Sequence, residues 1–452
     1  MPWIPRKKQM DKQTIAQSMA AYREAMIQAT VALCAIPSVK GRPETGAPFG
    51  LETKKSLDAF LALGADLGFT PVDLDGYCGY LDWGVEGPIT AVLGHLDVVP
   101  AIDGWSHDPF SPIVTDDKII ARGTADDKGP LVSALYALKA LKDEGFVPKG
   151  RIRLIAGLDE ESGSACMHHY SEVAELPSAG FTPDASFPVI YAEKGIAHIK
   201  IQLKSQPGQS FSRPDGHGQV LLAAVAGQRA NMVPARCDLT WQDDQGHVTT
   251  ETYAGKAAHA SLPWEGHNAI GVAMATAAQR PGAHPMVQLY QALIADDWTG
   301  QALGVAGQDS SGPLTLNPGV LKLDLERGSL ILDIRYPASW QVDTILARMT
   351  AAVAPFQATV ELVSHTPPLV GDPGRPLVKT LMAVYNRMTG ANQVAIAIGG
   401  GTYARAMPNI VAFGPSFPGE PDVCHQVDEF ITIEKLLASA AIYREALREL
   451  AG

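Results

Sequence analysis

A chain of 452 residues that is 46% hydrophobic and 19% charged has ordinary globular composition and length for two or three domains, which excludes a disordered or fibrous class. Its formal net charge of -12 at pH 7 argues against a general nucleic-acid or anionic-membrane surface, because either would require a basic face. The basic start MPWIPRKKQM is followed by polar residues instead of the apolar core of a secretory signal, and no run reaches transmembrane length. Five scattered cysteines, Cys34, Cys78, Cys166, Cys237 and Cys424, form no CxxC pair and read as reduced thiols, so a cytoplasmic location is expected.

From about residue 15 to 190, helical patterns alternate with short apolar runs. ITAVLGHLDVVP and RIRLIAGLDEESG read as buried parallel strands. Between them, GPLVSALYALKALKDEG places Leu131, Leu135, Leu138 and Leu141 on one helical face, with Gly145 as a stop. After about residue 195, GIAHIKIQLKS, LKLDLERG and SLILDIRYP alternate apolar and polar residues as half-buried antiparallel strands do, and HNAIGVAMATAAQ supplies a helix. The Pro- and Gly-rich stretch SHTPPLVGDPGRP, 364 to 376, reads as a linker, after which the first texture resumes. The expectation is an α/β protein. A discontinuous domain, residues 1–194 and 369–452, would hold a mostly parallel central sheet flanked by helices, and residues 195–368 would form an inserted α+β domain with an antiparallel sheet.

His95 and Asp97 lie two apart at the end of a strand and share a face, where ligands of open α/β sheets gather. An imidazole there can bind a metal while the carboxylate orients it; an ordinary structural pair is the competing reading. Asp159, Glu160 and Glu161 end the second strand, and three adjacent acids repel unless cations compensate them or solvent screens them. Asp126 and Asp127 precede a helix; capping accounts for one carboxylate and leaves the other without a role. Asp184, His259, Arg335 and His425 are further candidates. IGGGTYAR, 398 to 405, is a glycine-rich loop whose amides could hold an anion, without the spacing of a nucleotide-binding loop. Cys424 beside His425 reads as packing.

Taken together, the ordered series GHLDVVP, ARGTADDKGP, LDEESG, TPDASFP, AHASLPWEGHNA, LDIRYP, IGGGTYAR and FPGEPDVCHQVDEF resembles the dinuclear metallopeptidase family of aminoacylases, carnosinases and bacterial glutamate carboxypeptidases, and within it the dipeptidase V branch. The resemblance implies two divalent metal ions, zinc in the first place with manganese or cobalt open. His95, Asp126 and Asp184 would hold one, and Asp126, Glu161 and His425 the other. Asp97 would support His95, Glu160 would be the general base, and the peptide bond joining Asp126 and Asp127 would be cis. His259 and Asn231 match residues of the inserted lid that contact substrate or the developing oxyanion. Arg335 and the loop Gly399, Gly400, Gly401 and Thr402 would hold a substrate carboxylate.

The expected activity is hydrolysis of a small peptide substrate, a dipeptide. The alternatives are deacylation or desuccinylation of N-acyl amino acids and, in another class, non-catalytic peptide or metal binding. A two-metal phosphoesterase ranks last for want of a phosphate cradle. The enlarged lid of this branch stands in for a partner subunit, so a monomer is preferred over a lid-mediated dimer, with neither nucleic acid nor membrane as a partner.

Overall fold

A computed structural model describes residues 12–205, 211, 219–280 and 284–452. Contacts divide the chain into two compact units, one from the described parts of Met1–Tyr191, Asp372–Ile396 and Thr402–Gly452, the other from those of Ala192–Gly371 and Ala397–Gly401. The short return segment 397–401 therefore groups with the inserted unit.

The first unit is built on a mixed sheet in which Thr70–Leu74, Cys78–Trp83, Arg151–Gly157, Ile89–His95, Ala179–Thr182 and Ile410–Phe413 lie side by side in that order. The last four are mutually parallel, and the first two are antiparallel additions at one edge. Every residue of Ile89–His95 is buried, as a central parallel strand requires. Helix Lys128–Asp143 carries the four expected leucines and is buried on nearly all sides, including Val132, Ala134, Tyr136 and Ala137. It packs against the C-terminal helix Ile433–Ala451. Gly145, with φ of 74°, lies just beyond its end, in the left-handed region that only glycine enters without strain.

The second unit holds a seven-stranded antiparallel sheet in the order Val248–Ala254, Arg236–Gln242, Val220–Ala226, Thr315–Leu323, Arg327–Tyr336, Gly195–Lys204 and Thr359–Thr366. Ala197, Ile199, Ile201 and Leu203 alternate into a core shared with helices Ala269–Ala277, Pro285–Leu293 and Val342–Val353. The stretch LKLDLERG, expected to continue as strand, instead turns: the Asp324 carboxylate accepts the amides of Glu326 and Arg327 at 2.8 and 2.7 Å, the local bonding that lets Asp displace a ladder. The expected linker also begins later. Ser364–Thr366 complete an edge strand paired to Gly195–Lys204, whose exposed face lacks the alternation that would have revealed it.

One close approach in the first unit governs where functional groups stand. A Cβ at Gly94 would lie 2.5 Å from Asp127 Oδ2 and 2.7 Å from Leu131 Cδ1, so only glycine lets the helix start sit against the strand end. Gly94→Ala should destabilise the fold by about 1–3 kcal/mol through overpacking, read as a lowered Tm by circular dichroism.

Candidate active site

Three parallel strands deliver their acids and bases at their carboxyl ends. Ile89–His95 ends on His95 and runs on to Asp97. Arg151–Gly157 leads to Asp159, Glu160 and Glu161, and Ala179–Thr182 leads to Asp184. The topology thus concentrates charge where open α/β sheets bind ligands. Asp126 enters from the loop before helix Lys128–Asp143, and His425 from the loop before Phe430–Thr432.

Asp126 stands between two imidazoles. Its Oδ1 is 2.9 Å from His95 Nε2, and its Oδ2 is 3.0 Å from His425 Nε2. His425 Nε2 also lies 3.0 Å from Glu161 Oε1, and His95 Nε2 lies 4.0 Å from Asp184 Oδ2. Ligand atoms of His95, Glu160 and Asp184 fall within 4.8 Å of one another, as do those of His95, Asp126 and Glu161. Donors at about 2.0–2.1 Å from a tetrahedral zinc stand about 3.3 Å apart, so these separations fit cations with small adjustments. Because each oxygen of Asp126 faces a different histidine, the donor set fits a pair of cations with Asp126 between them. Glu160, expected as the general base, is itself one of the three members of the group that His95 forms with Asp184.

Buried carboxylates behind the site hold these groups in place. His95 Nδ1 donates to the Asp97 backbone carbonyl at 2.9 Å, while the Asp97 carboxylate is 3.5 Å away. That carboxylate instead accepts the amides of Glu160 and Glu161 at 3.1 and 3.2 Å, so Asp97 orients both the histidine and the acidic turn. The bond between Asp126 and Asp127 is cis. Asp127 occupies the helix N-cap position without a side-chain cap bond; its Oδ2 accepts the His95 amide at 3.1 Å, which replaces the capping role that the sequence left open.

Glu429 was not among the expected residues. It is fully buried; its Oε1 accepts the amides of Gly123, Ala125 and Asp126, and its Oε2 meets Arg122 at 2.6 Å. The loop carrying Asp126 is thereby tied from below. Lys128, also buried, donates to the carbonyls of Leu33 and Ile36, and Lys40 meets Asp159 at 2.7 Å. Tyr403 packs edge-on against the His95 ring at 5.9 Å. The signal available in the sequence was the pair of cations, Arg122 and Lys128, bracketing the two aspartates. Nothing distinguished Glu429 from its half-buried neighbour Asp428.

The electrostatics follow from this crowding. Burial, then the nearby charges of Asp126 and Glu161, push the Glu160 carboxyl up to about 7 against the opposing pull of His95. Burial and Asp126 likewise raise Asp184, and burial raises Asp127 well above the carboxylate range. Asp126 goes the other way: burial opposes its ionisation, but hydrogen bonds from His425 and His95 hold it low. Its partners mirror this, with His425 raised to about 10 by bonds to Asp126 and Glu161. His95 is raised by Asp126 and Asp97 despite its burial.

In the second unit the structure brings Asn231 and His259 together. The Ala260 amide donates to the Asn231 carbonyl at 2.9 Å, Met232 and His259 form a bridge, and His259 Nδ1 lies 2.7 Å from Ser261 Oγ. Arg335 is buried and donates from Nη1 to the Gly399 carbonyl at 3.1 Å, which joins it to the loop Gly399, Gly400 and Gly401. Thr402 groups with the first unit and caps the turn Tyr403–Ala406 by accepting the Ala404 amide.

Paired imidazoles and carboxylates at the strand ends of an α/β unit are a donor set suited to divalent cations. The family model described as "Peptidase family M20/M25/M40" matches residues 91–449. The protein named "Putative dipeptidase YtjP" of Bacillus subtilis is 38% identical over 461 residues, covering 95% of this chain and 98% of its own. A Staphylococcus epidermidis protein named "Putative dipeptidase" is 33% identical over 463 residues, covering 95% and 98%. Human carnosine dipeptidase 1 shares the fold with a TM-score of 0.60 at 13% identity, covering 98% of this chain and 100% of its own. Aminoacylhistidine dipeptidase from Vibrio alginolyticus does so with 0.60 at 14%, covering 94% and 96%. The chain belongs to the M20/M25/M40 family and is a metallopeptidase.

The same protons that satisfy the site must leave when cations enter, since ligation requires neutral imidazole and ionised carboxylate. His95 and His425 are raised and so protonated at neutral pH in the metal-free protein. Calorimetric titration of metal-free protein with Zn²⁺ or Mn²⁺ in buffers of different ionisation enthalpy should therefore show net proton release at pH 7. Affinity should rise as pH is raised from 6 to 9; a pH-independent affinity would contradict the proton-sharing geometry.

Proposed function

We propose that this metallopeptidase is a dipeptidase that works with two divalent cations and uses Glu160 as general base. The observation that carries the reading is Asp126, with one oxygen toward His95 and the other toward His425. The dipeptidase names of the relatives support the substrate class.

His95, Asp126 and Asp184 would hold one cation, and Asp126, Glu161 and His425 the other. Two histidines and three carboxylates without a thiolate suit zinc, with manganese and cobalt as alternatives. When bound, the cations polarise the scissile carbonyl and lower the pKa of the attacking water. Glu160 takes that water's proton and delivers it to the leaving amine; its burial raises its proton affinity and so favours the pick-up. Asp97 keeps His95 and the Glu160 amide in register. His259 and Asn231 donate hydrogen bonds toward the developing oxyanion. Arg335, with Gly399, Gly400, Gly401 and Thr402, anchors the free carboxylate, to which a planar guanidinium is matched.

No helix among the described residues is long and apolar enough to cross a membrane. We place the protein in the cytoplasm, a reading supported by five free cysteines, and take it to be a monomer, supported by the size of the inserted unit.

The test is one panel, metal-loaded and chelated enzyme against dipeptides, tripeptides and N-acyl amino acids. Dipeptides should be cleaved and chelation should abolish turnover; cleavage of acyl amino acids with dipeptides untouched would replace the reading with a deacylase. Glu160→Gln should keep both metals by elemental analysis while turnover falls roughly 10²-fold to 10⁴-fold. A base must be ionised, so wild-type activity should decline as pH falls, with an apparent pKa at or below about 7 because bound cations favour the charged form.

A further inference from the structure

Strand Arg327–Tyr336 sends Leu330, Leu332 and Ile334 into the core of the second unit. Asp333 and Arg335 alternate with them on the opposite face, yet both are buried, Asp333 completely. A carboxylate withdrawn from water on the non-core side of a sheet needs partners, and the strand register supplies them in a row. His198 lies directly across from Asp333, and Ser364 directly across from His198. Ser364 Oγ is 2.8 Å from His198 Nδ1, and His198 Nε2 is 3.1 Å from Asp333 Oδ2. Asp333 then takes Arg335 in a two-point grip, Nε to Oδ1 at 2.6 Å and Nη2 to Oδ2 at 2.8 Å.

This grip decides what Arg335 has left to offer. A guanidinium carries five N–H bonds. Asp333 takes one on Nε and one on Nη2, and the Gly399 carbonyl takes one on Nη1. Two remain, one on each terminal nitrogen, and two terminal nitrogens can meet one carboxylate with two parallel bonds. An ungripped arginine would spread those donors over many rotamers and lose that pairing.

We propose that Asp333, backed by His198 and Ser364, is the positioning residue that turns Arg335 into a receptor for a free C-terminal carboxylate. The proposal rests on the reading of Arg335 as the carboxylate anchor. It predicts that loosening the row weakens substrate recognition and spares the chemical step.

The experiment is steady-state kinetics of metal-loaded enzyme on a dipeptide and on its C-terminal amide. Arg335→Ala should raise KM for the dipeptide and erase the preference over the amide. Asp333→Asn should raise the dipeptide KM roughly tenfold with kcat within about twofold, and leave kcat/KM for the amide unchanged, the signature of lost uniform binding. His198→Ala should do the same more weakly, and His198→Gln, whose amide nitrogen can replace Nε2, should restore KM. Because His198 is only half-buried, its variants carry the test if Asp333→Asn does not fold. Equal losses on dipeptide and amide, or an unchanged KM in both Asp333→Asn and His198→Ala, would overturn the proposal. An Arg335→Ala enzyme that keeps its preference for the free carboxylate would instead overturn the anchoring reading, and the proposal with it.

Discussion

Mutual repulsion among carboxylates is the constraint on which the first unit is organised. Asp97, Asp126, Asp127, Glu160, Glu161 and Asp184 converge at the ends of neighbouring strands, and several of them raise one another's proton affinity. Such a cluster is stable only if positive charge or protons offset it. Asp126 and Glu161 raise the proton affinity of His425, and Asp126 and Asp97 that of His95 against its burial. Cations of the right size would take over the same positions, so the geometry of the acids and the preference for metal are one fact seen twice.

The acids divide by what their oxygens meet. Asp97, Asp127 and Glu429 accept backbone amides, two, one and three respectively. These bonds satisfy charge locally and fix the chain, as buried carboxylates require. Asp126 and Glu161 face imidazoles, and Asp184 and Glu160 face the same space across a few ångströms. Hydrogen bonding alone thus separates the carboxylates that hold backbone from those that face imidazoles and one another. Asp126 needs both kinds of support, since its amide is held by Glu429 while its oxygens point the other way.

Much of this was legible in the chain. Period-two and apolar-run patterns located the two textures, because a strand buried on both faces and one buried on a single face differ in composition. The motif residues His95, Asp126, Glu161 and Asp184 lie on successive segments of the first part of the chain and His425 near its end, and the fold brings them together. What stayed hidden were contacts that depend on depth. Glu429 reads as one more acid beside Asp428, and its burial follows only from the way Phe430–Thr432 pairs with Lys118–Ile120. Asp127 sits where a cap belongs, and only the approach of strand Ile89–His95 explains why its side chain turns elsewhere. The strand end at Ser364–Thr366 was masked by the prolines that follow it and by its exposure.

The second unit uses the same device for a different cation. Asp333 does for Arg335 what Glu429 does for the Asp126 loop: a buried acid, met by several donors, holds its partner in place. The difference lies in what is being fixed. An inorganic cation is placed by several ligands at once and tolerates small errors in any of them, whereas a guanidinium reads a carboxylate through the direction of two N–H bonds. Direction demands a grip at two points, which Asp333 provides, and a third contact to set the plane, which the Gly399 carbonyl provides. Both come from residues of the second unit, since segment 397–401 groups with it. The grip on Arg335 is thus assembled within one unit, from a sheet register and one loop carbonyl.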